Sequence, residues 1–365
     1  MQENMDFIEL SNIVSVCLDE IVKLKTENEA LHRQVADLTR AAAGIVDNEK
    51  KAADRIRLIE DTMEVVKGCV TNGLDNVKYE LSDERLDKRQ WYFPKFFPIA
   101  ETVERIVSEK CSIARFGDGE FAIMTGEARH KFQHWDKRLE TRLKEVIRAD
   151  EEGMLIAIAD NYGSLEPYNE PGKMGIRYYM TEEVRKEHRQ FLDLERVYHN
   201  TYISRPYALF ADNRTDAPQK RFDDLKRIWD NRNVIFVEGS LTRMGIGNDL
   251  FSNADSVRRI VAPAVHAFDK YDEILQAALR YGSADTLFLI ALGPAAGVLA
   301  YDLFRSGFQA IDLGHLDLEY EWYLRGNGER CEVKYKYNNE YPEGDIVEDI
   351  TDEEYHKQIL CVIPE

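Results

Sequence analysis

The sequence predicts an α/β fold: a Rossmann-like, mainly parallel sheet with flanking helices, preceded by an N-terminal coiled-coil helix. Apolar residues recur every seven positions through much of the first 80 residues. From Ile99 onward, short apolar runs alternate with amphipathic segments, which is typical of α/β domains. We therefore expect four parts: a dimerisation helix at 1–80, a linker at 81–98, an α/β domain at 99–330, and a C-terminal extension at 331–365 packed on or near that domain.

The composition of the 365-residue chain argues against several classes of protein. A formal net charge of -19 would repel the phosphate backbone of nucleic acids. No apolar run approaches the roughly 20 residues of a membrane span, and no basic segment with an apolar core opens the chain. The five cysteines are scattered without a C-x-x-C pair, which argues against a zinc site and a disulfide framework. We expect a cytoplasmic protein that reaches the inner face of a membrane only through partners.

The N-terminal repeat has the a/d pattern of a coiled coil. Through Val35 the a positions are mostly β-branched, and the d positions are mostly leucine, which favours two parallel strands; Asn28 is the polar a residue that sets register. The alternative is a single amphipathic helix that folds back on its own domain. The repeat weakens near Glu49 and resumes in register at Ile56, while Gly68 erodes it again. The residues of the repeat are Phe7, Val14, Ile21, Asn28, Val35 and Ala42 at a, and Leu10, Cys17, Leu24, Leu31, Leu38 and Ile45 at d.

The α/β region is expected to contain seven strands and six helices. The predicted strands are 112–115, 154–159, 201–204, 234–238, 259–262, 286–291 and 309–313, with a further surface strand at 332–337. The predicted helices are 99–110, 137–149, 181–192, 217–231, 270–281 and 294–306. In a sheet of this kind the ligand site lies beyond the carboxyl ends of the strands.

The first predicted strand leads into Arg115-Phe116-Gly117-Asp118-Gly119-Glu120. Its two glycines allow a tight backbone path, and its two carboxylates offer oxygens to a metal ion or a polar ligand. A solvated turn between a strand and a helix is the alternative.

A second polar turn follows the strand at 234–238. Backbone N–H groups of a glycine-rich turn, together with Arg243, are suited to a phosphate. The spacing fits neither a Walker loop nor a dinucleotide fingerprint, and a glycine-rich turn under a helix is the alternative. The candidate nucleotide-binding residues here are Glu238, Gly239, Ser240, Arg243, Gly245, Asn248 and Asp249, with Gly293 after the strand at 286–291.

The last predicted strand leads into His315-Leu316-Asp317-Leu318-Glu319. These polar residues converge whether the segment stays extended or begins a helix. Carboxylates of this kind hold Mg²⁺ or Mn²⁺, and the histidine is a candidate base, phosphate contact or orienting group. Helix capping is the alternative for the two acids.

These motifs together resemble those of the GT-D-type glycosyltransferases, a bacterial family with its own Rossmann-like fold. The resemblance rests on Arg-Phe-Gly-Asp-Gly-Glu-Phe at 115–121, the run at 237–250, Leu-Gly-Pro at 292–294, and Gly-His-Leu-Asp-Leu-Glu-Tyr-Glu-Trp at 314–322. It covers about 95–325 and implies a nucleotide-sugar donor, with UDP as the nucleotide, and a divalent metal, Mn²⁺ or Mg²⁺, held by a D-x-E triplet. Two triplets are available, Asp118-Gly119-Glu120 and Asp317-Leu318-Glu319, and both stay open.

We therefore predict a metal-dependent, homodimeric glycosyltransferase that acts on a glycan, lipid-linked or protein-linked acceptor. Arg115 and Arg243 would face the diphosphate, and a carboxylate or His315 would deprotonate an acceptor hydroxyl. The segment 161–174 is a candidate lid over the acceptor. Two other functions are open: a coiled-coil scaffold whose α/β domain binds without catalysis, and phosphotransfer or phosphate-ester hydrolysis.

Overall fold

Nine parallel strands form one sheet in the α/β region. The computed structural model describes residues 7–80, 93–127, 132–326, 328–338, 340–341, 344 and 346–364. The strands are β1 (Lys95–Phe96), β2 (Ser112–Phe116), β3 (Met154–Ile158), β4 (Val197–Asn200), β5 (Asn233–Gly239), β6 (Ser256–Ala262), β7 (Thr286–Ala291), β8 (Gln309–Asp312) and β9 (Ile359–Val362). Their order across the sheet is β1-β4-β3-β2-β8-β7-β5-β6-β9. The predicted parallel α/β sheet with flanking helices is confirmed.

Helices cover both faces of this sheet, because alternate strand residues point to opposite sides. Phe288 and Ile290 of β7 enter one core, and Leu287 and Leu289 enter the other. The helices are α2 (Ile99–Ser108), α3 (Asp118–Thr125), α4 (Lys137–Val146), α5 (Glu170–Tyr179), α6 (Glu182–Arg189), α7 (Ala217–Lys226), α8 (Tyr271–Tyr281), α9 (Ala295–Arg305), α10 (Leu316–Arg325) and α11 (Glu353–Gln358). Helices α3, α4, α8 and α9 contribute to the first core, and α2, α7 and α10 to the second.

The first element of the chain is a long helix, α1, which runs from Phe7 to Glu80. Several apolar a and d residues of the heptad repeat are more than half exposed on it: Leu31, Val35, Leu38, Ile56, Ile59, Met63, Val66 and Val70. The helix itself agrees with the sequence, and its pairing into a coiled coil stays a prediction. The predicted linker lies mostly at 81–92, outside the described residues. No helix among the described residues is both long and apolar enough to cross a membrane.

Three predicted elements differ from the structure. The segment 201–204 is a 3₁₀ turn, because the Asn200 side chain accepts the N–H of Tyr202 and ends β4 there. The alternating segment 332–337 forms no strand and is held by side-chain contacts. The predicted lid at 161–174 is partly helical, since α5 begins at Glu170, and its Tyr162 and Tyr168 rings are buried. These tyrosines therefore have no surface to offer a sugar.

The centre of the sheet is a topological switch point. Strands β2 and β8 are neighbours, paired at Ile113 and Ile311. The chain leaves β2 through α3 and α4 toward β3, whereas it leaves β8 through α10 toward β9 at the other edge. Because α3 and α10 cover opposite faces, the place between their first turns is where an open α/β sheet of this kind forms its ligand crevice.

The C-terminal residues are part of the same fold. Strand β9 pairs with β6, and Lys336 is fully buried with its ammonium 2.6 Å from Asp317 and 2.9 Å from Glu321. A buried lysine between two buried carboxylates neutralises part of their charge. The segment around Lys336 is therefore held under the first turns of α10.

We predict that Lys336→Met destabilises the protein by about 3 kcal/mol, because it leaves two buried carboxylates without their cation. Urea unfolding measures the loss. Lys334→Met is the matched control, since Lys334 is 62% exposed and its ion pair with Glu348 is 3.9 Å long. Equal stability of the two variants would contradict the structural role of Lys336.

Candidate active site

Three helix N-termini meet at the crevice beyond β2, β8 and β7. A Cβ atom on Gly119, in the first turn of α3, would lie 3.7 Å from Pro294, which precedes α9. A Cβ atom on Gly314, just before α10, would lie 2.2 Å from the Arg115 guanidinium at the end of β2. Helix N-termini present backbone N–H groups and a partial positive charge, so this junction is suited to an anion.

Arg115 joins the strands beneath this junction. Its Nε donates to the Asp312 carbonyl at 2.7 Å, one terminal nitrogen contacts the Asp312 carboxylate at 2.6 Å, and the other donates to Ser204 at 2.6 Å. The guanidinium is therefore engaged by β8 and by the turn after β4. The expectation that Arg115 faces the donor directly is not supported by this geometry, which makes it a supporting residue.

The loop at 116–120 starts α3. Phe116 is buried, and Gly117 occupies the N-cap position and donates its N–H to Glu120 Oε2 at 2.7 Å. Glu120 keeps some exposed area, yet the surrounding protein desolvates its carboxylate and raises its pKa to about 7, against the Gly117 hydrogen bond. Asp118 is exposed at the first position of the helix. These two carboxylates are the acidic residues of the first D-x-E triplet.

The glycine-rich turn after β5 is stabilised by a buried ion pair and hydrogen bonds. Glu238 is fully buried, 2.5 Å from Arg259, and accepts the N–H of Met244 at 2.7 Å. Arg243 donates to the backbone carbonyls of Tyr335 and Glu348 at 2.9 and 2.6 Å. Glu238 and Arg243, two of the charged residues that the sequence assigns to the nucleotide, therefore hold the loop and the C-terminal segment in place, and their effect on a ligand would be indirect.

The glycine-rich turn that the sequence assigns to a phosphate instead binds an anion of the protein itself, the Asp317 carboxylate. Gly245 N–H and the Asn248 amide donate to its Oδ1 at 3.0 and 2.9 Å, and Lys336 lies 2.6 Å from its Oδ2. Sequence analysis recognised the donor groups but not the acceptor. Asp317 is buried, its Oδ1 accepts two hydrogen bonds, and its Oδ2 lies against Lys336 without a hydrogen bond. The carboxylate is thus already paired with a cation of the chain itself, which argues against it as a metal ligand.

Glu319 points to a different part of the fold. Its Oε2 accepts the backbone N–H groups of Tyr207 and Ala208 at 3.0 and 2.8 Å, and the side chain is 1% exposed. Burial raises its pKa, although Arg205 and the two N–H groups oppose the shift. The two acids of the second D-x-E triplet, Asp317 and Glu319, therefore contact different parts of the protein from opposite sides of α10, and both stabilise the fold.

His315 directly precedes α10, at the junction of the helix N-termini. Its Nδ1 lies 2.7 Å from an Arg205 terminal nitrogen and 3.0 Å from Glu340 Oε1. Within the described part of the chain, its other ring nitrogen, Nε2, has no partner. The ring is thus fixed on one side and available on the other.

The remaining predicted residues lie apart from one another. Gly239 and Ser240 end β5, where Ser240 N–H donates to the Ala262 carbonyl at 2.8 Å. Asp249 accepts from Tyr320 at 2.7 Å and lies 3.6 Å from Lys226, on an exposed part of the loop. Gly293 has φ of +53°, and a Cβ there would lie 2.3 Å from the Phe132 ring. Of these residues, Gly293 lies at the helix junction.

Sequence analysis missed several residues of the site. Arg205, Arg330 and Glu340 meet next to His315, and Ser204 and Asp312 hold Arg115. Nothing in the sequence points to Arg205 and Glu340, because both lie outside every motif and are far apart along the chain. A polar residue at the end of an apolar strand, such as Asp312, was the one available signal.

The described residues hold no preformed cluster of three or more His, Cys, Asp and Glu side chains that could bind a metal ion. Asp118 and Glu120 could contribute carboxylate oxygens to a cation whose other ligands come from a substrate. Magnesium and manganese sites for phosphorylated substrates are commonly of this kind.

We predict that Gly314→Ala lowers activity and stability more than Gly307→Ala. Both glycines have positive φ, +50° and +88°, so both substitutions strain the backbone. At Gly307 nothing lies within 4 Å of the added Cβ, whereas at Gly314 it collides with Arg115. Thermal unfolding and turnover measure the difference, and equal losses would show that the Arg115 contact has no importance.

Comparisons with known proteins agree with this architecture. The sequence model described as "Glycosyltransferase GT-D fold" matches residues 113–341. A solved structure described as domain of unknown function 1792 with a distinct glycosyltransferase fold superposes with a TM-score of 0.70 at 33% identity, covering 76% of this chain and 98% of that one. A structure described as a new glycosyltransferase from Streptococcus sanguinis superposes with a TM-score of 0.70 at 30% identity, covering 74% and 100%.

Curated relatives give the same result. The probable glycosyl transferase Gly of Streptococcus gordonii is 32% identical over 266 residues, which are 72% of this chain and 38% of the relative. Glycosyltransferase GlyD of Streptococcus pneumoniae serotype 4 is 33% identical over 273 residues, 73% of this chain and 32% of the relative. The matched part of the chain thus spans 38% and 32% of the length of these two relatives. The chain belongs to the family of glycosyltransferases with the GT-D fold.

Proposed function

We propose that the protein is a metal-dependent glycosyltransferase that moves a sugar from a nucleoside-diphosphate sugar, with UDP as the nucleotide, to a glycan, lipid-linked or protein-linked acceptor. One observation carries this proposal: the N-termini of α3, α9 and α10 meet at the switch point of the sheet, next to Asp118 and His315. An anionic leaving group needs positive charge and N–H donors, and an acceptor hydroxyl needs a base beside them. We also propose that it acts in the cytoplasm.

The donor diphosphate would lie against the helix N-termini. Backbone N–H groups in the first turns have no partner inside the helix, so they can donate to phosphate oxygens. Asp118 and Glu120 would hold a Mn²⁺ or Mg²⁺ ion together with the diphosphate, which neutralises charge on the leaving group when bound. The desolvated Glu120 carboxylate, with its raised pKa, would be stabilised by a nearby positive charge.

The acceptor hydroxyl would lie on the open side of His315. In the tautomer whose Nδ1–H donates to Glu340 Oε1, 3.0 Å away, Nε2 is the nitrogen that can accept a proton. His315 would thereby act as the general base if the reaction inverts the anomeric centre. The two carboxylates of α10 that the sequence also offered, Asp317 and Glu319, are buried and support the helix.

The two D-x-E triplets give opposite expectations for mutation. We predict that Asp118→Asn lowers sugar transfer by more than about 100-fold with little effect on stability, because it removes charge at the metal and donor site. Asp317→Asn should instead lower the melting temperature, because it weakens the buried pair with Lys336. Mass spectrometry of products from several UDP-sugars, with Mn²⁺ or with chelator, measures transfer.

Asp150→Asn is the control for this experiment, because Asp150 is 95% exposed and far from the motifs. Full activity of Asp118→Asn would refute its role. Donor binding without turnover in all donors would favour the scaffold, and release of phosphate in place of sugar transfer would favour phosphate-ester chemistry.

We further propose that α1 pairs with a second copy of itself in a parallel coiled coil. The a and d side chains that the structure describes between Asn28 and Val70 are exposed, and Asn28 at an a position would fix the register. Burying these side chains against identical ones removes apolar area from water.

We predict that the double variant Leu31→Glu and Leu38→Glu sediments as a monomer at concentrations where the wild-type protein is a dimer. Two charges at d positions would be buried in the seam. Leu58→Glu is the matched control, because Leu58 is 67% exposed but lies outside the a and d positions. A dimer that survives the double variant would exclude the coiled-coil interface.

A further inference from the structure

The Glu340 carboxylate, in the segment that follows α10, lies among two arginines and a histidine. Its Oε1 contacts Arg205 and lies 3.0 Å from His315 Nδ1, and its Oε2 lies 3.2 Å from Arg330 Nε. The side chain is 15% exposed. Burial alone would raise its pKa, but Arg205 and His315 lower that pKa well below its usual range. Glu340 is therefore a charged, partly enclosed anion.

This contact lies in the crevice, not on a remote surface. Arg205 follows the 3₁₀ turn after β4, and His315 precedes α10. The charge of Asp118, at the start of α3, is close enough to affect the pKa of Arg205. The carboxylate of Glu340 thus lies between the elements that carry the proposed donor and acceptor groups.

The arginines expected from the motifs have other partners. Arg115 is engaged by Asp312 and Ser204, and Arg243 by two backbone carbonyls. Arg205 and Arg330, in contrast, meet at a single carboxylate that the chain itself supplies. Two guanidinium groups arranged around one anion form the geometry that binds phosphate.

Building on the proposed function, we propose that Arg205 and Arg330 bind the diphosphate of the donor, and that Glu340 occupies this anion site when no donor is bound. Glu340 is then an internal competitor, which a diphosphate displaces, and a phosphate oxygen takes its place as the acceptor for His315 Nδ1–H. The exchange replaces one carboxylate by a ligand with more charge and more acceptor oxygens.

The backbone that carries Glu340 can stay in place during this exchange. Asn338 is fully buried and donates its N–H to the Gly344 carbonyl at 2.7 Å, and its side chain accepts the Glu340 N–H at 3.1 Å. Lys336, two residues earlier, is anchored to Asp317 and Glu321. Only the Glu340 side chain has to rotate away from the arginines.

The bond that Glu340 makes is also incomplete. Its Oε2 is buried and accepts no hydrogen bond from the described residues, so the contact with Arg330 is an ion pair without good hydrogen-bond geometry. A buried oxygen with an unmet acceptor site costs free energy. A phosphate oxygen can align with the Arg330 guanidinium better than Glu340 Oε2 does, because a free diphosphate is not tied to the backbone.

The test is calorimetric titration of the full chain with inorganic pyrophosphate, which carries neither nucleoside nor sugar. Glu340→Gln should bind pyrophosphate about fivefold more tightly than the wild-type protein, because the competing charge is gone. Adding Arg330→Gln to that variant should weaken binding about fivefold. Glu340→Asp, whose shorter side chain reaches the arginines less well, is the second variant and should also bind more tightly.

Two exposed residues near this segment are matched controls. Glu348→Gln and Arg214→Gln each remove one charge, at side chains that are 67% and 71% exposed, and should leave affinity unchanged. Unchanged or weaker binding by a folded Glu340→Gln or Glu340→Asp variant would overturn the proposal, as would an Arg330→Gln change without effect. Because pyrophosphate binding needs no sugar transfer, a failure here is distinct from a failure of the glycosyltransferase proposal.

Discussion

The ion pair between Arg115 and Asp312 is the interaction on which the site depends. Strands β2 and β8 share one paired position, at Ile113 and Ile311, so the ends of the two strands need another link. Arg115 provides it with two bonds to Asp312 and a third to Ser204 after β4. This fixes the points at which α3 and α10 begin, and with them the positions of Asp118 and His315. Gly314 allows the guanidinium to lie against the chain.

Most charged residues of the motifs serve the protein's own architecture. Glu238 meets Arg259, Asp317 meets Lys336, and Glu319 receives two backbone N–H groups. A buried charge is tolerated only with such partners, which explains why these acids stand beside glycine-rich turns and basic residues. The motifs thus specify a rigid crevice, and only a few of their side chains are left to face a ligand.

The sequence contained enough information for the fold and for the edge of the sheet that carries the site. The strand at 286–291 has the predicted bounds, because a fully buried strand is a continuous apolar run. Strand β4 was missed since His199 and Asn200 are polar: the His199 ring contacts the Thr102 hydroxyl and the Asn200 side chain accepts the N–H of Tyr202, contacts that are invisible in the sequence. The same reason applies at the site. Lys336 and Glu340 come from a polar segment without any motif, and only the folded chain brings them to Asp317 and Arg205.

The β2–β8 link also sets the order in which the protein can assemble. Arg115 and Asp312 are separated by 197 residues, so their contact closes a very long loop. During synthesis the N-terminal half of the sheet is complete well before β8 leaves the ribosome, and until then the inner edge of β2 exposes unpaired backbone groups. Such an edge can pair with another chain. We therefore expect this protein to be most prone to aggregation while β8 is still missing, and the β2–β8 contact that positions its candidate active site to be one of its slow folding steps.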